Sequence, residues 1–205
     1  MKETFETLLH SYTNNQRLID ELWNEIEKAY SNPKRHYHTL NHLENVLEQL
    51  LCVKSKINDW DTILFTLFYH DIVYKASKSD NEEQSAIVAD ERMKKLVMPD
   101  EIIIKCKNQI FATKSHLQQS DSDTNYFTDA DLSVLGQEWS SYELYFNQVR
   151  KEYAIYPDFL YNPGRKKVLN HFLAMERILK TDYFFDKLEE KAKNNLKKEL
   201  EFLEK

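Results

Sequence analysis

Apolar residues recur along this chain at intervals of three and four, the spacing that gathers side chains onto one face of a helix. Phe5, Leu8, Leu9 and Tyr12 begin the pattern, and Leu18, Leu22, Trp23, Ile26 and Tyr30 continue it after a polar break at Thr13-Asn14-Asn15. Ser31-Asn32-Pro33 stops that helix, because proline excludes the residue before it from the helical conformation. A second stripe, Leu40, Leu43, Val46, Leu47, Leu50 and Leu51, follows Thr39, which is placed to cap it. Asp59 or Asp61 opens the next helix, running through Ile63, Leu64, Leu67 and Phe68 into His70-Asp71.

Asp80 and Glu83 have the spacing of a capping box, so another helix is expected there, carrying Ala86, Ala89, Met93 and Leu96. Pro99-Asp100 opens the run from Ile102 to Phe111. The stretch from Leu117 to Asn125 is polar and reads as a loop, and residues 127–135 read as a short helix ended by Gly136. Amphipathic helices are expected over 142–153, 166–180 and 184–203. No internal repeat, low-complexity tract or shift in composition marks a boundary, so the expectation is one all-α domain over the whole chain.

Composition sharpens the picture. Two glycines and four prolines among 205 residues are too few for sheets joined by tight turns and suit long helices. An apolar share of 41% and a charged share of 30% are those of a folded, water-facing protein. The net charge of −6 disfavours a nucleic-acid partner, and any phosphate site must bring its own positive charge, which a bound cation would supply. Cys52 and Cys106 lack metal-ligand spacing and are expected to be reduced core residues. No signal-like apolar start and no membrane-length apolar run occurs, so a cytoplasmic protein is expected.

Candidate chemistry is concentrated in four short pieces: residues 35–42 (Arg-His-Tyr-His-Thr-Leu-Asn-His), His70-Asp71, residues 113–116 (Thr-Lys-Ser-His) and residues 129–133 (Asp-Ala-Asp-Leu-Ser). Five of the seven histidines fall in the first three. His70-Asp71 follows an apolar face directly, and a charged Asp at the edge of a core costs several kcal/mol unless paired, a cost a divalent cation removes. Neighbouring helical residues diverge by about 100°, so both can reach one ion only where the helix end is distorted or the ion lies between them. A core histidine beside a helix-terminal aspartate is the plain alternative. His38 and His42, four apart, share a helix face or form a surface pair. Of Asp129 and Asp131, one carboxylate suffices to complement a helix dipole.

Tyr37-His38-x-x-x-His42, His70-Asp71, the isolated His116 and Ala130-Asp131-Leu132-Ser133, in that order, resemble the HD superfamily of metal-dependent phosphohydrolases, whose signature is H…HD…D on a helical bundle. The first and last pieces are also similar to elements of the related cyclic-nucleotide phosphodiesterases. The likeness spans residues 35 to 136, and Asn81-Glu82-x-x-Ser85-Ala86 resembles a bacterial branch of predicted HD phosphohydrolases. It implies a single HD-type helical domain with the helices of 140–205 packed on it. It implies that His42, His70, Asp71 and Asp131 hold a divalent metal (Mn, Mg, Fe, Ni or Zn, as one ion or two), with Asp131 preferred over Asp129.

The reaction so implied is hydrolysis of a phosphate ester or anhydride by a metal-activated water, on a nucleotide or similar small phosphorylated molecule. Asp71 would orient the water and His38 would protonate the leaving oxygen. Arg35 is a candidate phosphate clamp or a solvent-facing arginine, His116 a substrate or second-metal residue or a loop-edge histidine, and Glu82 a further neighbour of the substrate. His10 and His171 are read as structural. The chain is expected to work alone or as a homodimer. A nucleotide-sensing protein that keeps the pocket without turnover, and a metal-free helical scaffold, stay open as alternatives.

Overall fold

Why the chain folds as it does is clearest at its most apolar helix, in which every residue from Thr62 to Tyr69 is buried. The computed structural model describes residues 1–204, and among them only helices and connecting turns occur. The helices are α1 (Lys2–His10), α2 (Gln16–Tyr30), α3 (Leu40–Cys52), α4 (Trp60–Tyr69), α5 (Asn81–Lys95), α6 (Asp100–Ala112), α7 (Ser122–Asp131), α8 (Trp139–Glu152), α9 (Asp158–Ala174) and α10 (Asp182–Leu203). Two compact units are formed, Met1–Thr128 and Asp129–Lys205. No helix is long and apolar enough to cross a membrane among the described residues.

In the first unit α4 is the axis, packed by α1, α3, α5 and α6. A helix apolar on all sides is stable only when enclosed, and its neighbours enclose it. Phe5 of α1 meets Phe68 edge-on at 4.9 Å, and Tyr12 meets Phe65 in the same manner at 5.6 Å. Inside the unit, Thr66 Oγ1 donates to Gln109 Oε1 of α6 at 2.6 Å. The start of α4 is held twice. Asp59 accepts the Thr62 N–H at 3.0 Å, and the fully buried Asp123 accepts the N–H groups of Asn58 and Asp59, each at 2.9 Å, and the Lys105 ammonium at 3.0 Å.

Asp123 also explains a difference from the sequence reading. Residues 117–125 were expected to be a loop, yet α7 begins at Ser122, because its polar first turn is directed inward to serve α4. Two caps differ as well. Thr39 and Asp80 stand at the N-cap positions of α3 and α5 without a side-chain capping bond. Asp80 instead accepts from the Gln84 amide at 3.3 Å, and Glu83 pairs with Lys114, so no capping box forms. Cys106 is buried as expected, whereas Cys52 is exposed.

In the second unit α10 packs against α9 and against a short 3-10 turn, Leu132–Gly136. The close approach is made at Gly136, where a Cβ would lie 2.6 Å from the Leu188 carbonyl oxygen. The expected helix over 166–180 is displaced: α9 runs from Asp158 to Ala174, through Pro163 and Gly164. The stretch after it leaves the helical conformation, and its backbone is satisfied by carboxylates. Glu189 accepts the N–H groups of Ile178 and Leu179 at 3.0 and 2.9 Å, and Asp129 those of Lys180 and Thr181 at 2.8 and 2.7 Å. Arg165 forms a buried two-pronged pair with Glu199, at 2.7 and 2.9 Å. His10 and His171, read as structural, are both exposed.

Candidate metal centre

The end of α4 delivers His70 into the interior of the first unit, where 1% of the residue is exposed. Its Nδ1 lies 2.9 Å from the Leu67 carbonyl oxygen, one turn back on the same helix. A carbonyl only accepts, so Nδ1 carries a hydrogen; Nε2 then offers a lone pair when the ring is neutral and a second N–H when it is protonated. This nitrogen lies 3.2 Å from His42 Nε2 and 3.2 Å from Asp71 Oδ2. His42 comes from the first turn of α3 and is 3% exposed. The divergence of neighbouring helical residues is resolved by the helix ending at Tyr69: Asp71 belongs to the following turn, and its carboxylate folds back beside the His70 ring.

Three imidazoles surround this carboxylate. His70, His38 and His42 place their Nε2 atoms 3.2, 3.8 and 4.0 Å from Asp71 Oδ2. Burial alone would push the carboxyl up, but the charges of His70 and His38, a hydrogen bond from His70 and the charge of His42 outweigh it. With these rings protonated, they draw the Asp71 carboxyl below the ordinary carboxylate range.

These donors fit a first-row divalent cation. Nitrogen and oxygen ligands about 2.1 Å from one ion, at angles between octahedral and tetrahedral, stand about 3.0–3.4 Å apart. The His42–His70 and His70–Asp71 separations, both 3.2 Å, fall within that range, whereas His42 and Asp71 stand 4.0 Å apart, a wider angle at a shared ion. Imidazole and carboxylate together suit zinc, iron, nickel or manganese, and the absence of thiolate excludes a closed cysteine site.

His38 precedes α3 and is partly exposed at the mouth of the cluster. Its ring stacks on Tyr74 at 4.0 Å with 28° between the planes. Tyr37 packs against both His38 and His42, at 5.0 and 4.9 Å, and Phe127 of α7 meets the His70 ring edge-on at 5.4 Å.

The other sequence candidates are placed as follows. Arg35 is buried, with its guanidinium directed at the backbone carbonyls of His38, Asp71 and Ile72. Glu82 stands in the first turn of α5, 4.0 Å from Lys114 Nζ. Burial pushes its carboxyl up more than its backbone hydrogen bond and Lys114 draw it down, and the charge on Asp71 adds to the rise. His116 lies just past α6 in a left-handed conformation, φ 54°. Asp131 is the last residue of α7, partly exposed, in the second unit. Asp129 is fully buried, and both of its oxygens are engaged by Lys180 and Thr181.

Sequence reasoning did not single out Tyr30, Tyr74 or Lys114. Tyr74 follows the His70-Asp71 pair closely, and Lys114 lies within a histidine-bearing piece already noted, so position alone offered a faint signal for these two. Tyr30 gave none, being one more apolar-face aromatic. Comparison of the chain with family models, with curated proteins and with solved structures finds no match in any of the three.

Proposed function

We propose that this chain is an HD-type, metal-dependent phosphohydrolase acting on a phosphate ester or anhydride of a nucleotide or similar small molecule. The observation that carries this reading is the convergence of His42 Nε2, His70 Nε2 and Asp71 Oδ2, with both separations from His70 at 3.2 Å. Three buried or half-buried ligand-type atoms within 4.0 Å of one another, one on an imidazole whose Nδ1 is engaged by the Leu67 carbonyl, have no structural task that apolar side chains would not perform better. Asp131 completes the proposed ligand set on the order of the sequence motifs, and Asp129 is set aside because its oxygens serve the backbone before α10.

When bound, the cation would acidify a coordinated water toward neutrality and polarise a phosphoryl oxygen. Asp71 would orient the attacking water through the carboxylate oxygen not facing His70. His38, partly exposed and steadied by the Tyr74 ring, is placed to hand a proton to the leaving oxygen.

Calorimetric titration with Mn2+, followed by hydrolysis assays on p-nitrophenyl phosphate, bis-p-nitrophenyl phosphate and a nucleotide panel, tests the reading. Expected are stoichiometric uptake of metal and turnover that stops with chelator and with His70→Ala. A chain that takes up no metal overturns it. Metal uptake with tight nucleotide binding and no turnover on any substrate would move the assignment to a sensor.

A further inference from the structure

We infer that Arg35 is a positioning residue of this centre, a bracket that sets His38 and Asp71 at their working separation, and not a binder of substrate phosphate. The inference rests on the metal-centre reading above. A phosphate clamp needs an open guanidinium edge, whereas Arg35 is only 8% exposed. Nη1 donates to the Asp71 carbonyl at 2.8 Å and to that of His38 at 3.3 Å, and Nη2 donates to the Ile72 carbonyl at 3.0 Å. One face of the group lies over the Tyr30 ring at 4.8 Å, and Tyr74 stands at 5.7 Å.

The three carbonyls explain why an arginine stands here. Helix α4 ends at Tyr69, and the carbonyls of Asp71 and Ile72, in the turn beyond it, have no helical partners. A planar cation with forked donors answers two of them and reaches the His38 carbonyl with the same nitrogen, tying the segment before α3 to the turn after α4. Tyr30 strengthens the tie by accepting the Asp71 N–H at 3.3 Å and donating to the Phe68 carbonyl at 3.2 Å. Tyr74, beside the guanidinium, carries the stacked His38 ring. Backbone at both ends of the 3.8 Å His38–Asp71 contact is thus fixed through one side chain.

A bracket and a phosphate clamp make opposite predictions. Lysine at this position keeps the charge but loses the fork. For Arg35→Lys, Mn2+ affinity of the substrate-free protein is expected to fall about tenfold, with kcat reduced and KM within about twofold of wild type. A phosphate clamp would leave the substrate-free metal affinity unchanged and raise KM. Tyr30→Phe, which removes only a hydroxyl, is expected to weaken Mn2+ binding in the same direction by a smaller factor, and it decides the matter if Arg35→Lys does not fold. Metal affinity equal to wild type in the folded variants overturns the bracket alone. A wild-type chain that binds no Mn2+ overturns the metal centre and the bracket with it.

Discussion

Asp129 and Asp131 flank Ala130 as near twins in sequence, but two positions along a helix is a turn of about 200°, so their carboxylates leave opposite sides of α7. Asp129 goes inward to the N–H groups of Lys180 and Thr181 and to the Thr181 hydroxyl at 2.7 Å. Burial pushes its carboxyl up more strongly than Lys180 and these hydrogen bonds draw it down. Because Asp129→Asn would set an amide NH2 against donors that both oxygens now accept, it is expected to cost about 2 kcal/mol or more in urea unfolding while metal affinity is kept. Asp131→Asn should show the reverse, near-native stability with metal affinity lost, and the opposite pairing of results would exchange the two assignments. Residue identity made the histidines and His70-Asp71 legible, since imidazole and carboxylate announce their chemistry. It could not show that Arg35 is enclosed by Tyr30 and bonded to carbonyls, because burial belongs to neighbours distant in the chain.

At the level of elements, the apolar stripes located most helices, and the failures share a cause. The first turn of α7 is polar because Asp123 serves the start of α4, and no local pattern records a partner more than 60 residues away. Helix α9 passes through Pro163-Gly164, a pair that reads as a break. Proline there gives up the bond to the Phe159 carbonyl, and the cost is softened because Phe159 lies on the exposed side of α9, where backbone can face solvent. The two glycines consequently respond in opposite senses. Gly136→Ala forces a Cβ to within 2.6 Å of the Leu188 carbonyl oxygen and should destabilise by about 1–3 kcal/mol. Gly164→Ala meets nothing within 4 Å and should stabilise α9 by about 0.5–1 kcal/mol. Chemical denaturation of both variants checks the pair.

On the scale of the molecule, stability at low pH is tied to ion pairs between helices. Glu25 of α2 accepts two hydrogen bonds from Arg92 of α5, at 2.8 and 2.6 Å. That bonding to Arg92, ahead of the opposing effect of burial, lowers the Glu25 carboxyl below its usual value. A depressed carboxylate adds stability that is complete above its unfolded pKa and is lost as pH falls through the folded one. With the Glu25 side chain 36% exposed, solvent screening leaves this on the order of 0.5–1 kcal/mol. The stability difference between wild type and Glu25→Gln should then be largest near neutrality and vanish in acid; a difference that persists in acid would refute the linkage.

Helix α4, enclosed from Thr62 to Tyr69, carries the Leu67 carbonyl that aims the proposed ligand nitrogen of His70. Amides so wrapped should open only with the whole first unit, and deuterium should enter residues 64–69 last of all its helices. A pair of tongs is only as steady as the hinge that carries it. Here the grip is anchored in the slowest-opening stretch of chain, so fraying of outer helices ought to leave its aim unchanged.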